Sequence, residues 1–261
     1  MANRFTNKRA VVTGASRGIG NSVALRLARE GADVALLARS TDALAAVADD
    51  ITTMGRRAVV VAEDLRTAEG CTTAADRVLT DLGGVDVFVH CAGATKGGLF
   101  VELDDAVWED GLALKFYAAV RLNRAFWQSL TANKGSVVHI VGGFARTPDP
   151  DFMIGGVVNA ALANFSKALA GLGKRDDVNV NVIHPGMTVT ERLTEIFQTE
   201  ASRTGETLAE IEARKVELDG IRRLGQPEDV ATLVAFLCSE EARHIQGVAV
   251  AVDGGATAGV T

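Results

Sequence analysis

Residues 13–20 read Thr13-Gly14-Ala15-Ser16-Arg17-Gly18-Ile19-Gly20, directly after the apolar run 10–13 and before the helix-like stretch 19–30. A strand that enters a glycine-rich turn and leaves it as a helix is built to hold a phosphate. Gly14 permits the tight turn, and Gly18 and Gly20 let the backbone approach a pyrophosphate and pack the helix on the strand. The helix N-terminus then offers free N–H groups and the positive end of its dipole. The spacing is Gly-x-x-x-Gly-x-Gly rather than Gly-x-Gly-x-x-Gly.

Outward from this turn the chain alternates. Short Val-rich runs recur at 10–13, 34–38, 58–62, 85–90, 136–141, 178–183 and 248–252, and helix-like stretches lie at 19–30, 41–54, 68–82, 104–131, 154–172 and 228–237. Near-continuous apolar strands mark a parallel sheet covered on both faces. Their alternation with helices predicts an α/β fold: a doubly wound, Rossmann-type sheet in a single domain spanning 1–261. The charged segment 188–223 follows a strand where a substrate loop or lid belongs.

The 261 residues carry 27 Lys+Arg against 33 Asp+Glu, a net charge of −6. That balance argues against nucleic acid or an anionic membrane as partner. No apolar run approaches the ~20 residues of a membrane span, and the opening residues lack the apolar core of a signal peptide. Cys71, Cys91 and Cys238 are too far apart for a disulfide framework or a metal ligand set, which fits a cytoplasmic setting.

At the end of the second strand a carboxylate would hold the ribose 2′-hydroxyl of NAD. The residues there are Ala38, Arg39 and Ser40. Two guanidinium groups, Arg17 and Arg39, and no acid fit a 2′-phosphate. Charged hydrogen bonds contribute roughly 1.5–3 kcal/mol each, so two favour NADP(H) over NAD(H) by about 100-fold or more.

With these residues read, the chain resembles the short-chain dehydrogenase/reductase family along essentially its whole length. Asp64-Leu65 match that family's adenine-contacting pair. His90-Cys91-Ala92-Gly93 stand where the family has Asn-Asn-Ala-Gly against the cofactor. Pro185-Gly186, followed by Thr188 and Thr190, match the motif whose neighbours hold the nicotinamide. Residues 224–229 (Leu-Gly-Gln-Pro-Glu-Asp) and 252–255 (Val-Asp-Gly-Gly) match the C-terminal signatures. The resemblance implies a hydride transfer to or from a small organic molecule, and assembly as a homotetramer or dimer through the helices at 104–131 and 154–172.

The resemblance breaks at the family's catalytic Asn, Ser, Tyr and Lys. By local pattern Ser falls on Gly142, Tyr on Gly155, Lys on Asn159 and Asn on Lys115. The single tyrosine, Tyr117, has Arg121 four residues on, so no shift of register restores Tyr-x-x-x-Lys. The Asn and Lys sites look exchanged, which leaves Lys115 as the candidate to bond the nicotinamide ribose or a substrate oxygen, beside Asn159. His184, before Pro185, is a second candidate proton donor. His139 is expected to face away from Gly142 by strand alternation. Three readings stay open: an oxidoreductase with a rearranged site, a catalytically inactive NADP(H)-binding relative serving as sensor or partner subunit, and a structural subunit that no longer binds nucleotide, against which the phosphate turn and both arginines argue.

Overall fold

The structure is a computed structural model that describes residues 3–258; the ends of the expected 1–261 domain, residues 1–2 and 259–261, lie outside the described residues. Seven parallel strands form one sheet in the order β3-β2-β1-β4-β5-β6-β7. They are β1 (Arg9–Thr13), β2 (Asp33–Ala38), β3 (Ala58–Ala62), β4 (Val87–His90), β5 (Ser136–Ile140), β6 (Asn179–Pro185) and β7 (Ala249–Val252). Strand order reverses between β1 and β4, and an open α/β sheet leaves its ligand crevice at such a switch point, beyond the carboxyl ends of the strands.

Alternation along each strand assigns its side chains to two layers. Ala10, Val12, Val34, Leu36, Val87, Val89, Val138 and Ile140 are buried against α1 (Gly18–Arg29), α2 (Thr41–Thr53) and α9 (Pro227–Leu237). Val11, Ala35, Leu37, Phe88 and Val137 pack beneath α3 (Ala68–Leu82) and α5 (Ala118–Ala132). That second face is extended over β6 by α6 (Met153–Asp176). His90 and His139, one step beyond Phe88 and Val137, are register partners on this same face.

One expected element differs, and the segment 188–223 is helical as its composition predicts. The helix expected over 104–131 is α4 (Asp105–Leu112), a π-turn at Ala113–Tyr117, and then α5. A π-turn admits one extra residue per turn and rotates the side chains that follow it. The charged segment 188–223 holds two helices, α7 (Glu191–Thr204) and α8 (Leu208–Leu218), the latter opened by a reciprocal Thr207–Glu210 capping box. They share a small cluster of Phe197, Ile211, Ile221 and Leu224, so this segment has a core of its own.

The expectation that nothing reaches membrane-span length is corrected by Pro150–Asp176, which is long and apolar enough on length and composition alone. Ile154, Val158, Leu162 and Ala170 of this stretch are buried within the protein, so its inner stripe is a core face.

Candidate active site

The turn after β1 is shaped by close backbone approaches. Gly14 has φ +66°, and a Cβ there would stand 3.0 Å from the Ala92 nitrogen; a Cβ on Gly20 would run into the Gly14 oxygen. Arg17, the N-cap of α1, has extended backbone and no side-chain cap, and the first turn holds no acid. The leading N–H groups of α1 are thus left to an outside acceptor. Arg17 itself is exposed and sits 3.3 Å from Glu195 of α7, a surface pair that holds it weakly. Arg39 stands exposed just past β2 and has no ion-pair partner among the described residues. Ser40 caps α2, its Oγ accepting from the Ala43 nitrogen at 3.3 Å. Asp64, past β3, accepts from the Arg66 nitrogen at 3.0 Å, while Leu65 is buried beneath it.

The exit of β4 is tied to this turn by one hydroxyl. Thr13 Oγ1 accepts from the Cys91 and Ala92 nitrogens, both at 3.0 Å. With both lone pairs used, its proton goes to His90 Nδ1 at 3.1 Å. His90 therefore carries its own proton on Nε2, which donates to the Lys115 main-chain oxygen at 3.1 Å. Burial, with added repulsion from His139 and Lys115, pushes the His90 pKa down to about 3, so the ring is neutral. Lys115 lies in the π-turn, and its aliphatic chain runs over Gly93: a Cβ on Gly93 would come 2.8 Å from Lys115 Cδ and 3.1 Å from Nζ. Nζ has no hydrogen-bond or ion-pair partner among the described residues. Burial pulls the Lys115 pKa down to about 8, against the pull of Cys91 and with the repulsion of Arg192.

Gly142, Gly155 and Asn159 are brought together. The Gly142 nitrogen donates to Asn159 Oδ1 at 2.7 Å, and Asn159 Nδ2 donates to the Gly155 oxygen at 2.6 Å. The buried amide is thus engaged by backbone at both its oxygen and its nitrogen, and makes no bond to Lys115. The space in front of Gly155 is taken by Phe152, into whose ring any Cβ there would run; Phe152 in turn packs on Phe144 with ring centroids 5.1 Å apart.

His184 is buried, and its Nδ1 donates to the Val141 oxygen at 2.9 Å. In that tautomer Nε2 carries no proton, burial lowers the ring's pKa, and His184 ties β6 to the chain just past β5. The expectation that His139 faces away from Gly142 is corrected. His139 points to α5 and α6, accepting from Asn123 Nδ2 at 2.9 Å and donating to Ser166 Oγ at 2.7 Å. Gly142 also faces α6, because β5 ends at Ile140 and the chain turns before residue 142.

The Pro185-Gly186 turn abuts Asp253, which a Cβ on Gly186 would meet at 2.8 Å. Thr188 Oγ1 donates to the Gly186 oxygen at 3.0 Å, and Thr188 pairs with Gly225 in an isolated parallel bridge. Thr190 caps α7 and lies over the phosphate turn, its Cγ2 3.1 Å from a Cβ placed on Gly18. Two residues on, Arg192 reaches across the crevice and donates to the Thr95 oxygen at 3.0 Å.

Three residues of this site were not read from the sequence. Thr13 carried a signal as the last residue of the first strand. Phe152 and Arg192 carried none, since a loop aromatic and a first-turn arginine are ordinary on any surface.

Known proteins are similar to this chain over nearly its full length. The family model described as enoyl-(acyl carrier protein) reductase matches residues 14–257. An uncharacterized oxidoreductase of Mycobacterium tuberculosis (strain CDC 1551 / Oshkosh) is 32% identical over 256 residues, 97% of this chain and 94% of that protein. The 3-oxoacyl-(acyl-carrier-protein) reductase FabG of Escherichia coli (strain K12) is 30% identical over 256 residues, 96% of this chain and 98% of that protein. The crystal structure of L-sorbose reductase from Gluconobacter frateurii, complexed with NADPH and L-sorbose, matches with a TM-score of 0.95 at 33% identity, over 100% of both chains.

Proposed function

The chain belongs to the short-chain dehydrogenase/reductase family, and from that premise we propose an NADP(H)-dependent oxidoreductase whose proton donor is the Lys115 ammonium instead of a tyrosine. The residues fit the cofactor. The uncapped start of α1 offers N–H groups to a pyrophosphate alongside Gly14, Ser16, Gly18, Ile19 and Gly20. Arg39 and Arg17 suit a 2′-phosphate, with Ser40 beside them, and Asp64 and Leu65 flank the adenine position. In this reading Cys91, Ala92 and Gly93 would flank the cofactor on one side, and Pro185, Gly186, Thr188 and Thr190 on the other. When bound, NADPH supplies the hydride.

What this chain adds is a proton and a place. A lysine with pKa about 8 is mostly ammonium at neutral pH, yet gives up its proton far more readily than an ordinary lysine. The observation that carries the reading is the Lys115 Nζ itself, partnerless over Gly93 at the exit of β4. Asn159, at the family's Lys position, is spent on Gly142 and Gly155 and is left with a structural part.

A second reading, a catalytically silent NADP(H)-binding partner subunit, is favoured by Phe152 filling the space before Gly155. Homo-oligomeric assembly, as tetramer or dimer, is supported by exposed Tyr117 and Val157 beside α5 and on α6. A cytoplasmic setting suits the free cysteines.

The test is NADPH oxidation with a panel of small carbonyl compounds, by the parent protein and by Lys115→Met. Turnover that Lys115→Met lowers by about 100-fold or more supports the proposal. Equal turnover removes Lys115 from the chemistry. A parent protein that binds NADPH but never oxidises it favours the second reading.

A further inference from the structure

The exit of β4 makes contacts in sequence as it leaves the sheet. Cys91 and Ala92 face the phosphate turn through Thr13, Gly93 lies under Lys115, and Thr95 accepts from Arg192. Two cations thus lean on the same short segment from opposite walls, Lys115 from the π-turn and Arg192 from α7. Thr95 lies against Gly111 of α4, its Cγ2 3.3 Å from where a Cβ on that glycine would stand.

Neither cation is neutralised. Among the described residues no carboxylate lies within 4.0 Å of Lys115 Nζ or the Arg192 guanidinium. Burial costs both, and the Arg192 charge weakens that of Lys115. Arg17 adds a further positive charge within range of Arg192. Glu195 is the one carboxylate that favours the Arg192 charge, and it is paired with Arg17. Desolvated like charges side by side are costly unless an anion comes between them. A neutral substrate leaves that cost in place; an anionic one removes it.

We propose that the substrate of this site carries a carboxylate, bound by Arg192, beside the carbonyl that Lys115 serves. The preferred class is a small oxo acid, with its anionic group toward Thr95 and its carbonyl oxygen toward Lys115 Nζ. Arg192 is then a specificity-determining residue. The guanidinium fork matches a carboxylate in two parallel hydrogen bonds, which a lysine at that place does not reproduce. This inference rests on the proposed oxidoreductase reading and narrows its substrate.

The experiment uses the full chain saturated with NADPH and titrated with malonate, a dicarboxylate that cannot be reduced, at constant ionic strength. Binding is read from nicotinamide fluorescence. Saturable malonate binding that sulfate and L-sorbose do not reproduce is expected. Arg192→Gln weakens it tenfold or more, and Arg192→Lys recovers only part. In parallel, 2-oxobutyrate is compared with its methyl ester; the acid is favoured at least tenfold in kcat/KM, and Arg192→Gln abolishes the preference.

Malonate binding no better than sulfate overturns the inference, as does equal use of acid and ester. So does an Arg192→Gln variant that weakens NADPH while leaving malonate unchanged, because Arg192 then belongs to the cofactor. In each of these cases NADPH still binds, so the oxidoreductase reading stands. Failure of the parent protein to bind NADPH overturns both.

Discussion

The buried ring of His90 donates through Nε2 to the main-chain oxygen of Lys115, across 3.1 Å, and so joins the end of β4 to the π-turn. On its other side the same ring accepts from Thr13, which gathers the Cys91 and Ala92 nitrogens. The phosphate turn and the lysine are therefore held in one network of hydrogen bonds, and the side chain of Lys115 is presented by a carbonyl fixed from below.

His90→Phe removes both bonds and leaves the Thr13 hydroxyl and the Lys115 oxygen short of a partner. A loss of about 1–3 kcal/mol of stability is expected, since an unsatisfied buried polar group costs that much. His90→Asn keeps an amide donor and recovers part of it. Urea unfolding of the three proteins measures the difference. Turnover should fall with stability only in His90→Phe.

Stability also depends on pH through this ring and its neighbour. Both His90 and His139 have pKa values pushed down to about 3 by burial, against 6.5 in the open chain. Between those values the unfolded chain binds protons that the folded one refuses, so stability rises with pH. It is fully present above about 6.5 and falls as pH drops, by up to about 1.4 kcal/mol per unit for each ring. Thermal melting between pH 7.5 and pH 4.5 should show a steady drop. His139→Gln should flatten it.

The fold was almost wholly legible, for a physical reason. Strands such as Val34 to Ala38 and Ser136 to Ile140 are covered on both faces and must be apolar along their length. The glycine turn identifies its crevice because no other residue tolerates the Gly14 and Gly20 approaches. The π-turn at Ala113–Tyr117 was hidden, because an i→i+5 turn uses the same residues as the helix around it. The direction of His139 was misjudged because alternation ends with the strand, at Ile140. Phe152 and Arg192 gain their parts only from chain segments folded against them, Gly155 in one case and Thr95 in the other.

The pH dependence of turnover tests the role proposed for Lys115. With Lys115 as the proposed proton donor, carbonyl reduction would need its ammonium, so the rate should hold level below pH 8 and fall above it, following the lowered pKa of about 8. Lys115→Arg, charged throughout, should remove the fall and lower the rate. A profile of the parent protein that is level up to pH 10 contradicts the role.

Phe152 and Gly155 form a testable pair. Gly155→Ala places a Cβ in the Phe152 ring, and overpacking of this kind costs about 1–3 kcal/mol. Phe152→Ala should tolerate Gly155→Ala far better than the parent does. A double-mutant cycle by denaturant unfolding should return a coupling of about 1 kcal/mol or more between the two.

The most direct test of the central claim is a parallel titration of the protein with NADPH and NADH, followed by nicotinamide fluorescence. The expected result is tight NADPH binding, about 100-fold tighter than NADH, with Arg39→Ala removing most of that preference. Equal affinity for the two, or no binding of either, contradicts the account.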